Sequence, residues 1–188
     1  MFKGERVLLR PVKKEDIPRQ HEFYQDVDIH LLNAGLPHVF PIERAEEMYE
    51  LCTKKDKYAD FFAIEADEKY IGFCSLRHSE IYPGSHVLGI TIGDRDYWGQ
   101  GYGKEVVNLL LHYGFHYLGA RRIGLGTNAR NERAIKCFQA CGFVDEGGPR
   151  KMQWIDGDYV DIVYMGILRE EWGIIHGDEQ NTGEIRKS

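Results

Sequence analysis

Short runs of alternating apolar residues, separated by longer stretches with helical spacing, divide this chain into strands and helices that follow one another closely. Arg6 to Val12 is apolar and β-branched and reads as the first strand. Glu15 and Asp16 with Pro18 then mark the first turn of a helix running toward Gln25. Ile29 to Pro41 contains Gly35, Pro37 and Pro41 without a sustained period, so it reads as a loop, followed by a helix over Ile42 to Thr53. Phe61 to Glu65, Tyr70 to Arg77 and His86 to Gly93 form an antiparallel meander, the first two joined by the charged turn Ala66 to Lys69. Gly103 to Leu118 places Val107, Leu110, Leu111, Gly114 and Leu118 at helical intervals.

Arg122 to Thr127 is the next strand and Asn131 to Ala140 the next helix, with Gly142 suited to a left-handed cap at its end. Phe143 to Asp145 and Tyr159 to Leu168 complete the sheet, and Asp156-Gly157 is a hairpin turn. The elements predict an α+β fold in one domain over residues 1–173, because neither a repeat nor a break in composition interrupts them. Residues 174–188 form a polar tail that is expected to be partly disordered.

Composition narrows the function. A net charge of −6 argues against a nucleic-acid partner, whose backbone is held by clustered Lys and Arg. No apolar run approaches the roughly 18 to 20 residues that cross a bilayer, and the first residues lack the apolar core of a secretion signal. The expectation is a cytoplasmic chain without a membrane partner. Cys52, Cys74, Cys137 and Cys141 are too scattered for a disulfide framework. No His accompanies Cys137 and Cys141 at metal-site spacing, so no metal is expected.

Gly99, Gly101 and Gly103 lie between a predicted strand and a predicted helix, where bare backbone amides and a helix N-terminus can receive a phosphate. Ordinary turn chemistry accounts for the same glycines equally well. The dinucleotide fingerprint fails because Lys104 stands where it needs a small residue. The Walker loop fails at both Trp98 and Glu105. Gly101-Tyr102-Gly103 resembles the [Gln/Arg]-x-x-Gly-x-[Gly/Ala] loop of the GNAT acetyltransferase superfamily, with Trp98 in place of its first Gln or Arg.

The resemblance spans roughly Arg6 to Trp172. It is carried by Tyr70-Ile-Gly-Phe73, Gly89-Ile-Thr-Ile92, Tyr97-Trp-Gly-Gln-Gly-Tyr-Gly103, Asn131-Glu-Arg-Ala-Ile135, Cys141-Gly-Phe143 and Glu146-Gly147, in that family's order. In detail the chain resembles the branch containing the RimJ and RimL ribosomal-protein N-terminal acetyltransferases, which also holds spermidine, amino-sugar and aminoglycoside acetyltransferases.

That resemblance implies a mixed, mostly antiparallel sheet of about seven strands flanked by about four helices, splayed near its middle to hold acetyl-CoA. It implies that Gly99, Gln100, Gly101, Gly103 and Lys104 bind the pyrophosphate. Ile90, Ile92, Asn131, Ala134 and Phe138 would lie along the pantetheine arm, with the Ile92 backbone N–H on the thioester oxygen. Asn131 serves equally well as a plain helix N-cap.

Two departures bear on catalysis. Phe138 stands where many members carry a Tyr acid, and Leu88 where many of this branch carry a Glu base. His86 shares a strand face with Leu88, Ile90 and Ile92 and is the nearest replacement base. Glu80, Tyr159, Asp161 and Tyr164 are further candidates on the acceptor side. A thioester is already activated, so direct attack by an amine in a ternary complex needs no acyl-cysteine.

The expected activity is therefore N-acetylation of a primary amine: a protein N-terminus, an amino sugar, a polyamine or an aminoglycoside. An acyl-CoA-binding sensor with weak turnover is the alternative. The sequence leaves a homodimer open.

Overall fold

Residues 1–33, 41–53 and 59–176 are described by the computed structural model. The apolar alternation of the N-terminal segment forms β2 (Val7–Arg10), which pairs with a two-residue strand, β1 (Phe2–Lys3), too short to leave a period in the sequence. A 3-10 turn over Lys14–Asp16 leads into α1 (Ile17–Gln25), and Pro18 occupies its first turn as expected. Arg10 anchors this crossing: its guanidinium donates to both carboxylate oxygens of Asp16 at 2.8 Å, and both side chains are buried.

The expected loop beginning at Ile29 is corrected in part. α2 (Val27–Leu32) forms there, because Asp26 caps it by accepting from the amides of Asp28 and Ile29. Asn33 and Pro41 flank residues 34–40, which lie outside the described residues. α3 (Ile42–Thr53) has the expected bounds.

β3 (Ala59–Ala66), β4 (Lys69–His78) and β5 (Ser85–Ile92) form the antiparallel meander. A 3-10 turn over Arg95–Tyr97 and the glycine segment lead into α4 (Tyr102–His112). The longer helix expected to reach Leu118 gives way to a widened π turn over Tyr113–Tyr117. β6 (Arg122–Asn128) and α5 (Glu132–Gln139) follow. Gly142 takes the left-handed cap with φ of 94°, and its N–H donates to the Gln139 carbonyl at 3.0 Å.

The single strand expected over Tyr159 to Leu168 is broken at Asp161. β8 (Gln153–Ile155) and β9 (Asp158–Val160) make a separate hairpin around Asp156-Gly157, while β10 (Ile162–Leu168) joins the main sheet beside β7 (Val144–Asp145). The Asp161 carbonyl accepts from Ala129 in register with the β6–β10 pairing, and its carboxylate accepts from the Lys151 amide, so the chain turns from the outer hairpin into the main sheet here. α6 (Arg169–His176) extends structure past the expected domain end, and 177–188 of the expected tail lie outside the described residues.

The main sheet has eight strands in the order β1-β2-β3-β4-β5-β6-β10-β7, and six α-helices occur among the described residues. The expected mixed, mostly antiparallel architecture is present, with β5–β6 the parallel pair. Val106, Val107, Leu110, Leu111 and Phe115 bury one face of the sheet together with Leu76, Leu88 and Ile123. Phe23 and Ile29 cover the other face near Ala63 and Tyr70.

Candidate active site

β5 and β6 start as neighbours and then separate. Their pairing is limited to Ser85 with Arg122, His86 with Ile123 and Val87 with Gly124, although both strands continue for several residues. The antiparallel register with β4 fixes which backbone groups face the opening. Gly93 donates to the Ile71 carbonyl at 2.9 Å and Ser79 to the Ser85 carbonyl at 2.9 Å, so odd-numbered residues of β5 bond to β4. The alternation then turns the N–H and C=O of Ile90 and Ile92 toward β6 and the opening.

A cavity of about 340 Å³ occupies this divergence and runs to the N-terminus of α4. Ile90, Thr91 and Ile92 form one wall, Asn131, Ala134, Cys137 and Phe138 of α5 another, and Ile29, Leu32 and Asn33 of α2 contribute a third. Gly99, Gly101, Gly103 and Lys104 close the end beside α4. Gly101 is the N-terminal cap of α4 at φ of 88°, a left-handed conformation that glycine adopts without a side-chain clash. The bare loop, the helix N-terminus and the exposed Lys104 suit a pyrophosphate, and the strand-edge amides suit the paired amides of a pantetheine arm.

Nine of the ten residues expected to bind the cosubstrate line this cavity; Gln100 does not. Its carbonyl accepts from Arg6 at 2.9 Å and its side-chain amide donates to the Asp96 carbonyl. Asn131 lines the cavity and takes the N-cap role. Its Oδ1 accepts from the Ala134 amide at 3.2 Å as an N-cap, and its Nδ2 donates to the Leu32 carbonyl at 3.1 Å. Asn128 also donates to the Leu31 and Leu32 carbonyls, so two asparagines hold the end of α2 against the cavity. Asn33 continues this wall by donating to Thr91 Oγ1 at 3.1 Å.

Trp98 is the residue that motif reading undervalues. Its indole N–H donates to the Ile92 carbonyl at 2.7 Å, and the Arg133 guanidinium sits 3.8 Å from its ring. Arg95 lies 5.3 Å from the same ring while forking onto Asp26. The motif's polar first position is thus replaced by an aromatic donor that fixes the end of β5.

The candidate acid-base residues are not brought to the cavity. His86 is 5% exposed and stacks on His78 with ring centroids 5.3 Å apart. It sits four residues from Ile90, about 13 Å along the strand, where β5 and β6 are still paired. Burial, and then the charge of His78, hold its imidazole below the ordinary value of 6.5. Glu80 is exposed in the β4–β5 turn. Tyr159 packs edge-on against Trp154 at 4.9 Å in the outer hairpin, and Tyr164 is half-exposed opposite Gly126. Leu88 is buried in the core, and Phe138 offers the cavity a ring without a hydroxyl. Tyr97 also lines the cavity, but its hydroxyl is 3.2 Å from an Asp67 carboxylate oxygen.

Residues 6–144 match the acetyltransferase (GNAT) domain. The chain belongs to the GNAT acetyltransferase family. It is thereby an acyltransferase with acetyl-CoA as cosubstrate, and the described residues contain no cluster of three metal-ligating side chains.

A spermidine N(1)-acetyltransferase of Vibrio cholerae is 30% identical over 135 residues, covering 70% of this chain and 78% of that protein. A prophage-derived uncharacterized N-acetyltransferase of Bacillus subtilis is 26% identical over 93% of this chain and 96% of its own. The crystal structure of a Vibrio cholerae spermidine N-acetyltransferase in complex with CoA and spermine superposes with a TM-score of 0.80 at 25% identity, covering 90% of this chain and 99% of that one. No helix among the described residues is long and apolar enough to cross a membrane.

Proposed function

We propose that this GNAT enzyme acetylates a primary amine of a small polycation, with a polyamine as its acceptor class, by direct attack within a ternary complex. The observation that carries the transfer chemistry is the divergence of β5 from β6, which turns the amides of Ile90 and Ile92 into the cavity. An N–H fixed by the sheet is already oriented toward the oxygen that gains negative charge when the amine adds to the thioester carbonyl. Coenzyme A leaves as a stabilised thiolate, so Phe138 costs the reaction little as a non-acid.

The polyamine class is supported by the Vibrio cholerae relative and by the net charge of −6. The RimJ/RimL-like motifs support a second acceptor, the α-amine of a protein N-terminus, which is more nearly neutral at neutral pH than a polyamine nitrogen. Leu88, which stands where many of the RimJ/RimL branch carry a Glu base, favours the reading as an acyl-CoA sensor with weak turnover.

Two measurements test these readings. Thermal unfolding with acetyl-CoA or coenzyme A at about a hundred times the dissociation constant adds about 2.7 kcal/mol, a rise of roughly 5 to 10 °C for a chain of this size. NAD and ATP should give no comparable rise, and absence of a shift with either coenzyme would overturn the site. Thiol release with spermidine exceeding that with a peptide α-amine is the expected second result. Turnover confined to the peptide would replace the polyamine assignment, and binding without release across both acceptors would establish the sensor.

A further inference from the structure

Cys137 differs from the other three cysteines in where it sits. Cys74 is wholly buried in the sheet, and Cys52 lies on α3 away from the main cavity. Cys137 lines the main cavity together with Lys104 and Arg133. A Cβ added to Gly103, in the first turn of α4, would lie 3.6 Å from its Sγ, so this thiol adjoins a helix N-terminus. Cys141 follows four residues later, with its Sγ 3.8 Å from the Lys104 carbonyl.

We propose that Cys137 and Cys141 form a thiol–disulfide exchange site within the cosubstrate cavity, which reacts with low-molecular-weight disulfides carrying anionic groups and thereby blocks acetyl-CoA. Lys104 and Arg133 attract the anionic arms, and neither is in an ion pair with another described residue. A helix N-terminus and neighbouring cations are the surroundings that favour a thiolate.

The chemical environment agrees with this placement. The hydrogen bond from Cys141, with help from Lys104 and Arg133, holds the Cys137 thiol below its ordinary value of 9.0 despite burial. Cys141 is pushed up by the same hydrogen bond, and burial alone pushes Cys52 up to about 11 and raises Cys74. Cys137, which faces the cavity, is the attacking member, and the buried Cys141 is the reserve member.

In the first step the Cys137 thiolate attacks one sulfur of the small disulfide. A protein mixed disulfide forms, and the expelled thiolate takes a proton from water. In the second step the Cys141 sulfur attacks the Cys137 sulfur and its proton passes to the departing small thiolate, which leaves as the second small thiol. Two protein thiols are oxidised and one disulfide is reduced to two thiols. The four-residue spacing at a helix end separates the two Cα atoms by about 6 Å, within the span a disulfide bridges.

The test uses the full chain with oxidised glutathione as the anionic probe, hydroxyethyl disulfide as the neutral one, and peptide mass mapping as the readout. Cys137 is expected to react at least ten times faster than Cys52 and to favour the anionic probe relative to a free-thiol standard. Saturating coenzyme A should slow its reaction at least tenfold. C141S should accumulate the mixed disulfide without the internal one, while C137S should lose the fast adduct.

Equal labelling of Cys52, or an unchanged Cys137 rate while coenzyme A demonstrably raises the unfolding temperature, would overturn the proposal. The protection step rests on the cosubstrate assignment, and the two fail separately. A missing thermal shift counts against the cosubstrate site, whereas a slow Cys137 in the free protein counts against the exchange site alone.

Discussion

Replacing Trp98 by Phe removes the N–H that donates to the Ile92 carbonyl but keeps a ring beneath Arg133. One hydrogen bond of this kind contributes about 1 kcal/mol, so the dissociation constant for acetyl-CoA should rise roughly three- to tenfold. Trp98→Ala also loses the stacked cation and should weaken binding further. Isothermal titration of both variants checks the order, and equal affinities would show that the indole N–H positions nothing.

His86 gives a second prediction at this scale. Its folded-state imidazole titrates below 6.5, so as pH falls through that value the unfolded chain takes up the proton first and the folded state loses stability. Above that window the contribution to the pH slope is absent. Denaturant midpoints measured from pH 7.5 down to 5 should fall for the native chain and fall less steeply for His86→Phe. The sequence shows that His86 shares a face with Ile90 and Ile92. How far the two strands stay paired depends on tertiary packing, and that pairing keeps the imidazole away from the cavity.

Longer elements were legible where many residues vote together. α3, β3, β4, β5 and α5 follow from period, turn chemistry and caps, and the glycine loop marks one end of the cavity. β1 has two residues and no period, and α2 depends on the Asp26 cap more than on an apolar stripe. Arg10 with Asp16 illustrates the same limit: their pairing is a tertiary fact that no spacing announces.

Asp16→Ala leaves the buried guanidinium with a much weaker setting and should cost about 3 to 5 kcal/mol, read as a lowered urea midpoint. Gly101→Ala forces a side chain into the left-handed cap and brings its Cβ to 3.2 Å from the Arg6 guanidinium. A cost of about 1 to 2 kcal/mol would lower the unfolding temperature by roughly 2 to 8 °C. Gly119→Ala, at φ of 67° with nothing within 4 Å of the added Cβ and outside the cavity lining, separates backbone strain from lost acetyl-CoA affinity.

Across the molecule, the sheet is two antiparallel sets joined by three register pairs of β5 with β6. Helices on both sides cover this junction, so its stability depends on packing more than on ladder bonds. The amides of Ile90 and Ile92 should exchange hydrogen readily in the free protein and become protected when coenzyme A is added. Unchanged protection at both positions, with binding confirmed by thermal shift, would show that the pantetheine arm takes another path.

An ordinary open sheet has two edges, and each is a place where a foreign strand can pair. This sheet has four among its described residues: β1 and β7 outside, and the facing margins of β5 and β6 within. The inner pair is screened by α2, α4 and α5, and Trp98 occupies the Ile92 carbonyl at the end of β5. The break that opens the cavity thus creates strand margins that helices, in place of a partner strand, keep from templating edge-to-edge aggregation.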